Sequence, residues 1–170
     1  MTRPVLNIDA VAPEAMAPPG GSTRFGAEVR AIGDEMGAED AGLGVMHVTV
    51  QPGMRAFPHH NHLGNDELFI ILAGRGVYRF GTREYPIRAG DVCAAPRGGP
   101  DRAHQIVNTG DGPLSYYGVS TMNDPDVVEF PDSGKFSTLA IAPGSDFWHA
   151  HLRYIGRRDS ATGYWDGEDI

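Results

Sequence analysis

Three potential metal ligands lie close together in the stretch from Gly53 to Gly74. His60 and His62 are two residues apart, so on a β-strand both imidazoles would leave the same face. Glu67 follows five residues later, at the start of the apolar run 68–72. A hairpin between the two segments would bring the Glu67 carboxylate back across from the histidines. Two imidazoles and one carboxylate form a borderline-hard ligand set, which predicts a site for Mn, Fe, Ni, Co or Zn.

The same stretch resembles the first sequence motif of the cupin superfamily. That motif is a glycine followed by His-x-His, three or four residues, Glu, six residues and Gly. Here His60-Asn61-His62, four residues, Glu67, six residues and Gly74 fit the pattern. The opening Gly53 lies one residue further upstream than is usual.

A second cupin motif has the form Gly, five residues, Pro-x-Gly, two residues, His, three residues and Asn. The matching residues are Gly90, Pro96, Gly98, His104 and Asn108. Five residues, 99–103, separate the last glycine from the histidine instead of two, so this loop is interpreted as a small insertion. Together the two motifs cover roughly residues 45–120.

The resemblance implies one divalent transition metal ion, such as Zn, Mn, Fe or Ni, held by three histidines and one glutamate. In this chain the ligands would be His60, His62, Glu67 and His104. Four protein ligands leave one or two positions for water or substrate, as in catalytic metal sites. The alternative is a set of buried polar residues without a metal. It is disfavoured because burying an uncompensated carboxylate beside three imidazoles costs several kcal/mol.

Three further residues are predicted to contact a substrate: Arg55, Arg102 and Asn108. Arg102 lies in the inserted loop two residues before His104, where it could hold a carboxylate or phosphate at the barrel mouth. Arg55 precedes the histidine cluster and could do the same. For either arginine alone, the alternative is an exposed ion pair with the acidic surface. No residue is singled out as the catalytic base.

The remaining histidines and the single cysteine are interpreted as structural or surface residues. His59 is adjacent to His60, so its side chain should point to the opposite face. His47 lies within a predicted strand, away from the ligand cluster. The pair His149 and His151 has metal-like spacing but lacks an acidic or thiol partner nearby, which favours a surface or interface role. Cys93 lies in an apolar run and is predicted to be an inert core residue.

Length and composition favour one all-β domain. The 170 residues include 23 glycines and 13 prolines, which is typical of short strands joined by many turns. No convincing amphipathic helix is found. The pattern predicts an all-β barrel or double-sheet jelly roll, and the cupin resemblance implies the same double-stranded β-helix. We expect an extended N-terminal arm over 1–22, the cupin barrel over 23–122, and an extension over 123–170 that packs on the barrel or on a dimer partner.

Alternating or β-rich runs predict where the strands lie. If Glu67 points into the barrel, Phe69 and Ile71 should do so too, since side chains alternate with a period of two. His104, Ile106 and Asn108 should likewise share one face. The predicted strands are 5–8, 25–32, 45–50, 67–72, 77–80, 85–88, 91–95, 104–108 and 114–121, with further short strands near 137–141 and 151–155 and a loop over 35–42.

The formal net charge of −8 argues against nucleic acid or an anionic membrane as a main partner. No signal peptide or membrane-spanning run is recognised, so a cytoplasmic location is expected. The expected partner is a small molecule, and the resemblance implies a homodimer.

Fold and ligand set do not name a reaction. The first interpretation is a metal-dependent enzyme acting on a small polar substrate, of the sugar or sugar-phosphate isomerase type. The alternatives are a metal-dependent dioxygenase and a non-enzymatic barrel that binds a small ligand.

Overall fold

The protein is described by a computed structural model over residues 3–37, 42–142 and 149–169. Over these residues the chain consists mainly of short strands, with one five-residue helix, α1 (Ile32–Met36). The all-β prediction is therefore confirmed. In chain order the strands are β1 (Glu14–Met16), β2 (Ala27–Ala31), β3 (Leu43–Val50), β4 (Asn61–His62), β5 (Glu67–Ala73), β6 (Arg75–Phe80), β7 (Arg83–Arg88), β8 (Val92–Ala95), β9 (His104–Val107), β10 (Leu114–Thr121), β11 (Asp126–Phe130), β12 (Lys135–Ala140) and β13 (Leu152–Arg157).

The strands form three antiparallel sheets. The first has the order β1-β2-β3-β10-β5-β8, the second β13-β12-β11-β4 and the third β7-β6-β9. An isolated antiparallel bridge between His60 and His104 joins the start of the second sheet to the third. In the described part of the chain, the strand ladders do not close into a continuous ring, and the sheets pack around a shared interior instead.

Strand β5 has the alternation that its sequence predicts. Phe69 and Ile71 are 6% and 1% exposed, whereas Leu68 and Ile70 are 37% and 36% exposed. Glu67 has the same parity as the two buried residues, and its side chain is only 11% exposed. The period of two therefore carries this carboxylate into the barrel together with the apolar core.

The barrel interior is a continuous apolar cluster that includes Val48, Tyr78, Leu114 and Tyr116. Cys93 belongs to this cluster, as predicted. Burial, and then the nearby charge of Asp91, raises the pKa of the Cys93 thiol to about 11. The thiol is therefore protonated and unreactive at neutral pH.

The N-terminal region differs from its prediction. The strand predicted over 5–8 is wrong, because residues Ile8–Ala10 form a 3₁₀ turn in which the Asn7 side chain accepts a hydrogen bond from the Asp9 backbone. This local cap competes with strand pairing. Further along, β1 pairs with β2 and attaches the arm to the first sheet. Of the predicted loop over 35–42, residues 35–36 end α1, and 38–41 lie outside the described residues.

The C-terminal region contributes directly to the barrel. Strand β11, which the sequence analysis did not predict, pairs with β4 and so extends the sheet that carries His62. The predicted strands near 137–141 and 151–155 correspond to β12 and β13. Nowhere in the described residues is there a helix long and apolar enough to cross a membrane.

Gly74 closes the turn between β5 and β6 in a conformation that favours glycine. Its φ is +83°, and a Cβ there would lie 2.5 Å from the Pro113 carbonyl oxygen and 2.7 Å from the Leu114 Cα. The backbone leaves no room for a side chain at the position where the first motif ends in glycine.

Gly74→Ala should therefore lower the free energy of unfolding by about 2 kcal/mol or more, from the left-handed φ and the backbone clash together. Chemical denaturation would measure the loss. Gly112→Ala is the matched control, since a Cβ at Gly112 meets nothing within 4 Å. Equal stabilities for the two variants would contradict this reading of the turn.

Candidate metal centre

The four predicted ligands come together inside the barrel, each from a different position in the sheets. His62 lies in β4, and His60 lies immediately before that strand. Glu67 opens β5 and His104 opens β9. The backbones of His60 and His104 exchange two hydrogen bonds, of 3.1 and 2.7 Å. This bridge sets the two imidazoles side by side.

The expected hairpin between the histidine segment and β5 is not formed. Strand β4 pairs with β11, while β5 pairs with β10 and β8. Glu67 therefore reaches the histidines across the barrel interior from another sheet. The local spacing predicted the meeting of these side chains, but the long-range strand pairing brings it about.

One carboxylate oxygen is the centre of the cluster. The Glu67 Oε2 atom lies 2.8 Å from His104 Nε2, 3.4 Å from His62 Nε2 and 3.7 Å from His60 Nε2. Ligand atoms of His60, His62 and Glu67 all lie within 4.8 Å of one another. These three residues could hold a metal ion, and His104 approaches the same carboxylate.

The other ring nitrogen of each histidine faces an oxygen acceptor. His60 Nδ1 lies 2.8 Å from the Pro58 carbonyl oxygen, and His104 Nδ1 lies 3.3 Å from the Arg102 carbonyl oxygen. His62 Nδ1 lies 2.6 Å from Asp126 Oδ2. With a metal ion on the Nε2 side, each neutral imidazole would carry its single proton on Nδ1, because that nitrogen has an outward acceptor in all three cases.

This tautomer leaves three Nε2 lone pairs facing one carboxylate. Such a set lacks a proton of its own at the centre and is repulsive unless a positive charge lies there. The residues thus fit a divalent transition metal ion, with neutral imidazoles as ligands and outward Nδ1–H donors that fix ring orientation. The chemistry of the donors does not single out one metal.

The electrostatics of the cluster point the same way. Without a metal ion, protons on the Nε2 side take the place of the cation: burial would raise the pKa of Glu67, but hydrogen bonds from His104 and His60, together with the charges of His62 and His104, outweigh burial and hold that pKa far below its ordinary value. Burial acts to lower the pKa of His62, yet the hydrogen bond to Asp126 and the Glu67 charge leave it raised. The site keeps its carboxylate ionised and attracts positive charge.

Asp126 is the main residue of the site that sequence reasoning missed. It is 6% exposed and also accepts hydrogen bonds from the backbone N–H groups of Gly64, at 2.9 Å, and Val127, at 2.8 Å. These bonds hold the carboxylate against His62 Nδ1. No local pattern identified Asp126, because it lies 64 positions from His62 and reaches it only through the pairing of β11 with β4.

Aromatic rings surround the histidines. Phe69 and Tyr78 lie 5.5 and 6.4 Å from the His104 ring, between centroids. Phe57 and Phe130 lie 6.4 and 6.3 Å from the His60 ring. Such walls limit water and lower the local dielectric, which strengthens the interaction of the ligands with a bound cation.

Asn108, one of the three predicted substrate contacts, is fully buried outside the ligand cluster. Its side-chain N–H groups donate to the carbonyl oxygens of Val50 and Gly112, and its oxygen accepts from the Gly110 backbone. These three bonds hold the turn after β9 against β3. The polar atoms of this amide are thus engaged within the fold.

The two predicted arginine contacts lie in different places. Arg102 is 47% exposed, and its Nε lies 3.3 Å from the Asp101 carboxylate. Arg55 packs with its guanidinium carbon 5.5 Å from the centre of the Phe25 ring. No ion pair joins either side chain to Glu67 in the described residues. Substrate binding by both arginines stays a prediction.

His59 points away from His60, as their adjacency predicts. Its ring is 5% exposed, and Nδ1 lies 3.3 Å from Asp132 Oδ1. His149 and His151 are exposed and lie outside the cluster. The His60 register, rather than that of His59, supplies the ligand facing Glu67.

Comparisons with known proteins agree with this architecture. The family profile described as "Cupin domain" matches residues 46–120. A solved sugar phosphate isomerase of a cupin superfamily, from Silicibacter pomeroyi, is 23% identical, with a TM-score of 0.71 over 93% of this chain and 95% of that one. At that identity the likeness shows the fold alone.

Two further similarities come from Thermotoga maritima. The structure of a predicted oxalate decarboxylase is 28% identical, with a TM-score of 0.59 over 70% of this chain and 99% of that one. An oxalate-binding protein is 40% identical over 60 residues, which cover 35% of this chain and 47% of that protein. The matched stretch thus spans about half the length of the relatives found by sequence.

The hydrogen bond between His62 and Asp126 yields a direct test. Asp126→Ala should weaken Zn²⁺ or Mn²⁺ binding about 10- to 100-fold, because the imidazole loses the acceptor that fixes its orientation and tautomer. Asp126→Asn keeps an acceptor oxygen and should lose less. Competition against a chromophoric chelator would measure the affinities.

Asp111→Ala is the control for this series, because Asp111 is 92% exposed and forms an ion pair with Arg75, at 3.4 Å, away from the ligands. It should bind metal like the wild type. Wild-type affinity in Asp126→Ala would show that Asp126 does not position a ligand.

Proposed function

Because residues 46–120 match the cupin-domain profile, we propose that this chain is a metal-dependent enzyme that binds a small polar substrate directly on the metal ion. The observation that carries the proposal is the convergence of three Nε2 atoms on the Glu67 carboxylate, within 2.8–3.7 Å. On an ion that takes five or six ligands, four ligands of this kind leave coordination positions for a substrate oxygen.

When bound, the metal supplies a Lewis acid that polarises an oxygen-bearing group of the substrate. The protein residues set its charge. The three histidines bind as neutral ligands and Glu67 contributes one negative charge, so a divalent ion at this site retains about one positive charge. That residual charge favours an anionic oxygen ligand. Asp126 holds the His62 proton outward, at Nδ1, and the surrounding rings exclude water.

The substrate class that we put first is a small carboxylic acid. A carboxylate can coordinate the metal and neutralise the remaining charge without further cations. In the described residues, the partners of Glu67 in ion pairs are histidines and not lysines or arginines. The metal ion would therefore be the main positive charge available to the substrate at this cluster. The oxalate-binding relative, 40% identical over 60 residues, supports the same class.

Isomerisation of a sugar or sugar phosphate is the second candidate, and Arg102 is the residue that favours it. Its backbone carbonyl contacts the His104 ring at 3.3 Å, and its half-exposed guanidinium has Asp101 as its carboxylate partner. A guanidinium two residues before a ligand could reach a phosphate held at the metal. Dioxygenase chemistry would use the same ligand set with Fe or Ni, and a binding barrel would use it without turnover.

The candidate functions predict different small-molecule ligands of the metal ion, and the visible absorption of bound Co²⁺ would report which of them binds. With Co²⁺ in the site, oxalate should shift the visible absorption bands in a saturable manner. The apparent affinity for oxalate should be at least about tenfold higher than that for sugar phosphates, because oxalate coordinates through two oxygens. Arg102→Gln should leave the oxalate response unchanged. Loss of oxalate would then be followed by NMR to detect turnover.

Three results would change the proposal. A tighter response to sugar phosphates that Arg102→Gln abolishes would favour isomerisation. Binding without turnover of any ligand would leave a binding barrel. An unchanged spectrum with every ligand would contradict a substrate bound on the metal.

We also propose that two copies of the chain associate through β5 and β8. Strand β8 is an edge of the first sheet, and its Val92 is 60% exposed. On β5, the neighbouring Leu68 and Leu72 are 37% and 41% exposed. An apolar, exposed surface at a sheet edge is well suited to association with a second copy.

Val92→Lys should convert the dimer to a monomer, because it places a charge on the proposed interface. Light scattering after gel filtration would report the mass. Val5→Lys makes the same change at a residue that is 84% exposed and should stay dimeric. A monomeric wild type would refute the proposal.

A further inference from the structure

A second cavity, of about 530 Å³, lies outside the barrel interior and shares no lining residue with the four-ligand cluster. Its walls come from the N-terminal segment 16–18, the loop before His60, the outward side of β9 and the turn between β11 and β12. Nothing in the comparisons assigns a role to it.

Positive charge predominates in this cavity. Arg24, Arg55 and Lys135 line it, and Asp132 is the acidic residue among its lining residues. Asp132 is already engaged, because both of its oxygens accept hydrogen bonds from Arg79, at 2.8 and 3.2 Å. The cavity thus retains uncompensated positive charge although the chain as a whole carries a net charge of −8.

The Arg55 guanidinium is partly buried and incompletely hydrogen-bonded. Its guanidinium lies 5.5 Å from the centre of the Phe25 ring, and its buried Nε has no hydrogen-bond partner. Burial first, and then the charges of Arg24 and Arg79, lowers the pKa of Arg55. A crowded and partly desolvated cation of this kind gains strongly from an anionic partner.

His59 forms part of the buried wall of the cavity. It lines the cavity and is 5% exposed, and its Nδ1 lies 3.3 Å from Asp132 Oδ1. This contact ties the ring to the turn between β11 and β12 that carries Asp132.

Most of the remaining wall is apolar, although the polar residues Gln105 and Ser133 also line the cavity. Met16, Phe25, Ala56 and Pro58 contribute hydrocarbon surface, of the kind that buries the body of a small molecule while a few polar groups fix its orientation. Inorganic phosphate would leave this surface unused.

From these features we propose that the cavity is a second binding site, for a small organic anion with an apolar body. The carboxylate would pair with Arg55 and Arg24, and the apolar body would lie against Phe25 and Met16. The site does not depend on the metal, since none of the four ligands lines it.

The test uses benzoate as the probe and the full chain after metal removal with a chelator. Ligand-observed NMR titration should show saturable binding of benzoate to this protein. Neutral benzamide and inorganic phosphate should each bind at least about tenfold more weakly, because benzamide lacks the charge and phosphate lacks the apolar body.

Arg55→Gln should weaken benzoate binding about tenfold or more. Arg24→Gln changes an exposed residue, so it removes the second charge with little risk to folding, and it should weaken binding as well. Arg75→Gln is the matched control, since Arg75 is 67% exposed, pairs with Asp111 and does not line the cavity. It should bind like the wild type.

Absence of benzoate binding to the wild type would overturn the proposal, as would wild-type affinity in both Arg55→Gln and Arg24→Gln. Equal affinities for benzamide and benzoate would show that the cavity binds apolar molecules without regard to charge, which would also overturn the proposal. Because this test uses metal-free protein, its outcome is independent of the proposed function, which is tested on the metal-loaded protein.

Discussion

The structure depends on one electrostatic constraint, the meeting of three imidazole lone pairs and a carboxylate in a space lined by aromatic rings. Groups of this kind are costly to bury and repel each other unless protons or a metal cation lie between them. Their geometry is set from outside the cluster. The Pro58 and Arg102 carbonyls and the Asp126 carboxylate each face an Nδ1 atom, so the inward nitrogens remain acceptors.

The ligand cluster also connects the three sheets, because each sheet contributes one of the ligands. His62 lies in the sheet of β4 and β11, Glu67 in the sheet of β5, and His104 in the sheet of β9. The bridge between His60 and His104 links two of these sheets. A cation at the centre would therefore connect elements whose strand ladders are otherwise separate in the described residues, and binding to the folded state alone would add to stability.

Local patterns in the sequence predicted the ligands but not their supports. The match to the two cupin motifs supplied Glu67 and His104, and the period of a strand supplied the shared face of His60 and His62 and the alternation along β5. Asp126 depends on the long-range pairing of β11 with β4. Arg55 was expected at the barrel mouth, yet the parallel bridge between Phe25 and Arg55 places it in the second cavity, and no local pattern encodes that contact.

The ligand cluster and the second cavity lie on opposite sides of a single peptide segment, since His60 faces Glu67 and His59 lines the cavity. This alternation allows a direct test of the central claim. The test is metal analysis of the purified, reconstituted wild type beside the His62→Ala and His59→Ala variants. We predict about one equivalent of a divalent transition metal in the wild type and in His59→Ala, and its loss in His62→Ala. Absence of metal from the wild type, or undiminished metal in His62→Ala, would contradict the account.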